Sequence, residues 1–274
     1  MTSQVLTKPV LADFGGVAPS ADLRVTQWRL MKSEWLKFWS LRSSWITLAA
    51  TVVGMVGFAA LIAGVTANRY STLTAADKAV FDPVGTSLSG YFIAQLIVGV
   101  LGVLLVTGEY GTGMIRATMA AAPKRLPVIW AKAAVFAVVT FTVTAVAALA
   151  SFYIGQALLH SQHIDVALTA PGVLRTVLGV PLYLTAVGLF GAAIGWMIRS
   201  TAGGIATVFG LLLVLPASWG SHINPYLPSN AGQEILTWHT DAGSLAPWTG
   251  YLVFLIYIAV AFVGAAILVK RRDA

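Results

Sequence analysis

Two things are scarce in this sequence. None of the 274 residues is cysteine, and Asp, Glu, Lys and Arg together make up only 10%. The first absence excludes a disulfide framework, thiolate catalysis and any iron–sulfur or cysteine-ligated zinc centre. The second excludes a soluble globular domain, which typically carries about 25% charged residues. It excludes intrinsic disorder as well, since disorder needs high charge and low hydrophobicity. The phosphate loop Gly-x-x-x-x-Gly-Lys-Ser/Thr is missing, and no Gly-Lys pair occurs at all, so the chain does not bind ATP by that route. His-Glu-x-x-His is missing too. His160, His163 and Asp165 stand close together but lack an evident further ligand, and they read as a water-facing loop rather than a metal site. Gly85-Thr-Ser-Leu-Ser-Gly90 lacks the spacing of a nucleophile elbow.

What is present is apolar. Hydrophobic residues make up 58%, and the mean hydropathy is +0.82. A charge at the centre of a spanning helix costs roughly 2.5–3.5 kcal/mol, so long charge-free intervals mark spans. Six such intervals predict spans near 45–67, 85–107, 131–158, 173–198, 202–219 and 248–269. Each is long enough to cross about 30 Å of hydrocarbon. The runs lack period-2 alternation, so an all-α integral membrane protein is expected rather than a barrel. Pro216 and Ser218-Trp-Gly-Ser221 are expected to end the fifth span early. Lys132, at the start of the third, is expected to snorkel to the interface. Gly191-x-x-x-Gly195 permits close helix approach, within the chain or across a dimer.

An even number of spans puts both termini on one side. With both inside, the inner segments hold 14 Lys and Arg residues and the outer loops only Arg69, Lys78 and Arg175. This asymmetry predicts cytoplasmic termini, and it assigns the formal net charge of +7 to membrane orientation rather than to nucleic acid. The first twenty residues lack the basic start and apolar core of a signal peptide. Residues 1–21 read as a mobile cytoplasmic tail and 270–274 as a cytoplasmic end.

Residues 22–44 carry too many charges to span. At 100° per residue, Trp28, Met31, Trp35, Phe38 and Trp39 share one arc, with Arg29, Ser33, Lys37 and Ser40 opposite. That pattern predicts an amphipathic helix lying in the inner headgroup layer, or a cytoplasmic helix packed on a soluble partner. Between spans two and three runs Gly108-Glu-Tyr-Gly-Thr-Gly-Met-Ile-Arg-Ala-Thr-Met-Ala-Ala-Ala-Pro-Lys-Arg125. Gly111 and Gly113 are expected to break the second span, with Thr112 capping a short helix at 113–121 that Pro123 stops. Such a helix, held between two spans, suits force transmission; an ordinary interfacial turn is the other reading.

This loop resembles that of the ABC-2 permease family in its actinobacterial-type branch, whose pattern runs roughly Ser-Glu-Tyr-x-x-Gly-Thr-Ile-Arg-x-Thr, then Pro-x-Arg. Here Gly108 stands at the small hydroxyl position and Met114 at the Thr position. Ser33-Glu-Trp-Leu-Lys37 and Leu41-Arg-Ser-Ser-Trp45 are similar to the family's N-terminal interface helix. Arg199-Ser-Thr-Ala-Gly-Gly-Ile205 resembles its turn between spans four and five, and Pro225-Tyr-Leu-Pro-Ser-Asn-Ala-Gly-Gln233 its outer segment.

The resemblance implies a type V exporter-like transmembrane domain, the permease subunit of an ATP-binding-cassette exporter in a bacterial plasma membrane. A second permease subunit, alike or different, and a cytoplasmic P-loop ATPase subunit are the implied partners. ATP and Mg would be bound by that ATPase, and no cofactor by this chain. Carried over by position, the coupling residues are Glu109, Tyr110, Gly113, Met114, Ile115 and Arg116, supported by Trp35, Lys37 and Arg42. The outer segment 218–246 would form short helices with gate candidates Tyr226, Pro228, Asn230 and Gln233. Nothing polar converges in the spans to select a cargo, so a hydrophobic or amphipathic compound such as a drug, antimicrobial peptide or lipid-like molecule is expected. Other classes are an ATP-independent secondary carrier or channel, which the uncharged span centres disfavour, and a membrane enzyme or scaffold.

Overall fold

The computed structural model describes residues 26–121, 125–218, 223–239 and 243–271. The tail at 1–21, Arg24, Lys124, Trp219, Asp241 and 272–274 lie outside them. Within them the chain is all-helical, and six helices are long and apolar enough to cross a membrane.

The first helix, α1 (Gln27–Ser40), starts at Thr26, whose hydroxyl accepts from the Arg29 N–H. Leu41 is extended, and α2 (Arg42–Arg69) begins beyond it. The interface helix is thus shorter than 22–44 within the described residues, and Arg42 belongs to the first span. Two short helices follow, α3 (Ala75–Ala79) and α4 (Pro83–Leu88). Asp82 caps α4, its Oδ1 accepting from the Val84 and Gly85 N–H groups at 2.9 Å each. The second spanning helix, α5 (Tyr91–Gly111), therefore starts later and ends later than 85–107. Charge counting sees Asp82 as the edge of a long apolar run, whereas its carboxylate starts a separate helix.

Past α6 (Met114–Ala121), α7 covers Arg125–Leu159. Its 35 residues reach about 52 Å at 1.5 Å per residue, well over the hydrocarbon thickness. Because α7 starts before 131, Lys132 lies two turns inside it. Then come α8 (Val173–Ile198), α9 (Thr201–Phe209) and α10 (Leu215–Ser218), the last two joined by a π turn at Gly210–Val214. Pro216 does not stop this helix before Ser218. Its ring would crowd the carbonyl four residues back in α geometry, and the wider turn just before it relieves that conflict. The outer segment folds as α11 (Pro228–Gln233) between 3₁₀ turns at Asn224–Tyr226 and Glu234–Leu236, and α12 (Pro247–Arg271) completes the fold.

The central helix is α8, with 83% of its most apolar stretch buried against 17–50% for the other five. Glycine lets α5 approach it closely. A Cβ at Gly102 would collide with the Gly188 carbonyl oxygen, and one at Gly191 would stand 2.5 Å from the Gly99 carbonyl oxygen. The Gly191-x-x-x-Gly195 pair thus serves packing within the chain. Successive spans alternate in direction, so α1, α6, the α8–α9 turn and Lys270–Arg271 share one end of the bundle, termed the basic end. The outer segment caps the opposite end.

Candidate functional site: the α1–α6 junction

At the basic end, α5 finishes on its own side-chain and backbone bonds. The Thr112 hydroxyl donates back to the Gly108 carbonyl at 2.9 Å, and the Thr112 and Gly113 N–H groups bond to the Gly108 and Tyr110 carbonyls. Thr112 therefore closes α5 rather than capping the next helix. Gly113, at φ +72°, takes the left-handed step that a side chain resists. Its carbonyl accepts from the Arg116 N–H as α6 begins.

Short as it is, α6 is fixed from two sides. Ile115 is buried in the core and Met119 packs against the same cluster. Tyr110 meets the Trp196 ring edge-on at 6.1 Å, while the Arg199 guanidinium sits 5.1 Å from its centroid. Arg199 is held left-handed at φ 59°, closing α8. The Thr201 hydroxyl donates to the Thr107 hydroxyl at 2.9 Å, so the α8–α9 turn is tied to the same place. Gly113, Met114 and Arg116 remain exposed.

The feature absent from the sequence reading is a four-charge cluster joining α1, α5 and α7. Lys132 donates to Glu34 Oε2 at 2.6 Å and to Glu109 Oε1 at 2.9 Å. Lys37 donates to Glu34 Oε1 at 2.7 Å, to Glu109 Oε1 at 3.3 Å and to the Thr118 hydroxyl of α6 at 3.1 Å. Lys132 and Glu34 are each 4% exposed at the side chain, Glu109 10% and Lys37 30%. Lys132 therefore does not snorkel; two carboxylates hold it inside. Glu109 lies beneath the surface, where one of its oxygens holds both lysines. Thr118 was readable as the last residue of the family-like pattern, but nothing in its own spacing marks it as a lysine acceptor.

Lys37 and Phe38 depart from the expected faces of α1. The helix turns Glu34 and Phe38 inward and leaves Trp28 and Trp35 outside at 72% and 41% exposure, with Met31 and Trp39 half-buried. Lys37 points to the cluster instead of lining a solvated back. A helical wheel places residues by angle but does not reveal which polar group finds a buried partner. Trp39 packs on Trp45 across the Leu41 bend, ring centroids 4.1 Å apart and planes inclined at 46°, and the Trp45 indole donates to the Trp39 carbonyl. Arg42 is exposed at the head of α2.

Burial alone would raise the Glu34 carboxyl, but Lys132 and Lys37 outweigh it and the net direction is downward. Burial would lower the Lys37 ammonium, and the two carboxylates raise it instead. A depressed carboxyl stabilises the docked helix above the ordinary carboxylate range and loses that contribution as pH falls through its folded value. A raised lysine contributes below its ordinary range and loses it only at strongly alkaline pH. Docking of α1 is therefore expected to be flat through neutrality and to weaken below about pH 4. Spin labels on cysteines introduced at the exposed Ser33 and Thr142 will read this as a lengthened distance in acid; an unchanged distance down to pH 3 contradicts it.

At the opposite end a second polar group converges. The Tyr183 hydroxyl donates to Gln95 at 2.8 Å and accepts from Gln233, which in turn accepts from the Tyr91 hydroxyl, both at 3.2 Å. The expectation that nothing polar converges in the spans is thus corrected. Among the gate candidates, only Gln233 enters this network. Pro228 is buried at the start of α11, Asn230 bonds locally to Asn224, and Tyr226 is exposed. Arg175 fastens the segment through the Ile235, Thr237 and Trp238 carbonyls. His160 pairs with Asp165 at 3.0 Å, and among the described residues no three His, Asp or Glu groups converge on a metal position.

Compared with protein-family models and with curated proteins, the sequence matches none. The functional reading consequently rests on the residues and on the geometry of this junction.

Proposed function

We propose that this chain is the membrane-embedded permease subunit of an ATP-binding-cassette exporter of the ABC-2 type, driven by a separate P-loop ATPase. One observation carries the reading. A short, partly exposed helix between two long apolar helices is tied by the Lys37–Thr118 hydrogen bond to the amphipathic helix α1, which buried charges in turn join to α5 and α7. A push on the exposed tip at Gly113, Met114 and Arg116 would be delivered to α5 and α7 together. The same push would reach α1 through Thr118, Lys37, Glu109 and Lys132.

The positive-inside bias supports a cytoplasmic position for α1, α6 and both termini, where an ATPase with its ATP and Mg would dock. Pairing with a second permease subunit in a bacterial plasma membrane completes the proposed exporter. Closure of the nucleotide subunits would tilt the α5–α6–α7 unit and switch the pathway from inward to outward access. The apolar, aromatic spans favour a hydrophobic or amphipathic cargo, and α11 with Gln233 would serve as the outer gate.

The test begins with co-purification. A tagged chain extracted in mild detergent is expected to bring down a stoichiometric P-loop ATPase. Arg116→Glu, an exposed change that leaves the buried cluster alone, is expected to lower export of a fluorescent hydrophobic dye at least tenfold with membrane insertion unaltered. A chain that purifies alone and moves dye in liposomes without nucleotide would instead establish a secondary carrier.

A further inference from the structure

Beside the four-charge cluster is a cavity of roughly 300 Å³ between the α1–α2 bend and the end of α5. Its wall is apolar where Phe38, Leu41, Leu104, Leu105 and Met114 line it, charged where Glu34, Lys37, Glu109 and Lys132 do, and hydroxylic at Ser40, Ser43 and Thr112. Glu109 uses one oxygen for both lysines. Its other oxygen, Oε2, is buried and accepts no hydrogen bond from the protein. A buried carboxylate oxygen left without a donor costs more than an ordinary lost hydrogen bond.

We propose that this cavity binds a primary ammonium carried on an apolar chain, the Glu109 carboxylate turning so that Oε2 meets its N–H groups and its chain lying along Leu104, Leu105 and Phe38. Two carboxylates and two ammoniums cancel within the cluster, so an arriving cation meets no net repulsion and finds a carboxylate oxygen that accepts no other hydrogen bond. An anion would meet that oxygen head-on, while both lysines are already engaged by carboxylates. A quaternary ammonium has the charge but no N–H to donate. Removing the apolar body from water against the leucines adds affinity in proportion to the area covered. Such a ligand touches α1, α5 and α6 at once, so it binds the docked arrangement and stabilises it by mass action. The site stands independently of the transport reading.

The ammonium can come from a soluble amphipathic amine or from an aminophospholipid headgroup. Radiolabelled octylamine, added to the full chain in phosphatidylcholine nanodiscs, is expected to show a saturable component by scintillation proximity. Glu109→Gln should weaken it at least tenfold. Gly108 also lines the cavity, and a Cβ there meets nothing within 4 Å. Gly108→Leu therefore fills the space without touching the charges, and should abolish the component in a chain that still melts like the parent. Octyltrimethylammonium and octanoate should fail to compete. Equal competition by either, or undiminished octylamine binding to Gly108→Leu, overturns the proposal. Discs containing phosphatidylethanolamine separate the sources: displacement of octylamine identifies the headgroup as occupant, and undisturbed binding identifies a soluble amine.

Discussion

Replacing Lys132 with methionine will lower the stability of the chain by about 3–5 kcal/mol, the cost of breaking a buried ion pair from one side. The side chain is 4% exposed and its ammonium is held by Glu34 at 2.6 Å and Glu109 at 2.9 Å. Methionine keeps most of the stem, so packing is largely preserved. What is lost is the charge that lets two carboxylates share one buried place, with Lys37 left as their joint partner. The second half of the experiment isolates that cause. Adding Glu34→Gln to Lys132→Met removes a carboxylate along with its ammonium and is expected to recover more than half of the loss, a coupling that independent sites do not show. Thermal unfolding in detergent gives the stability, and the Ser33–Thr142 label distance shows whether α1 has left. A Lys132→Met chain that melts like its parent with α1 in place would remove the cluster from the account of this junction.

The next largest effect is expected in the middle of the bundle, where two glycines of one helix should behave oppositely. At Gly102 any Cβ overlaps the Gly188 carbonyl oxygen, and the Ala192 nitrogen lies 3.1 Å from the same point. Neither neighbour is a movable side-chain tip, so Gly102→Val must push α5 off α8, the most buried helix of the fold. Overpacking of a well-filled core costs typically 1–3 kcal/mol, and rigid backbone on the receiving side puts this case at or above the upper figure. Little folded protein is expected after extraction, read as an early void peak in size-exclusion chromatography. At Gly108, six residues on, a Cβ meets nothing. Gly108→Ala should be neutral or stabilising by up to about 1 kcal/mol, since alanine is the better helix former. Similar behaviour of the two variants would refute the close α5–α8 contact.

Much of this architecture was legible from charge spacing alone. Intervals without Asp, Glu, Lys or Arg locate all six long helices, because burying an ion in hydrocarbon is costly wherever it occurs. Their ends were less legible. Asp82 starts α4 through backbone N–H groups rather than marking the edge of a span, and Pro216 is accommodated by a π turn that no composition rule foresees. In the junction, the short helix after Gly113 was visible from its glycines and from Pro123. The cluster was not. Glu34 and Lys132 are 98 positions apart, and each alone reads as a charge near an interface. Only the packing of α1 on α7 turns them into partners. Tyr91, Gln95 and Tyr183 stayed hidden because they are uncharged residues on two separate helices, and Gln233 was named without its partners.

The separation of Glu34 from Lys132 has a consequence for how the protein is made. Synthesis delivers α1 to the ribosome exit long before α7 exists, so Glu34 begins with Lys37, three residues along its own helix, as its only cluster partner. Among the described residues, the first helix to be translated is therefore one of the last to be seated, since its dock on α7 comes only with the third long apolar helix. A block in insertion of that span would leave Glu34 with Lys37 alone and α1 without the helix on which it docks.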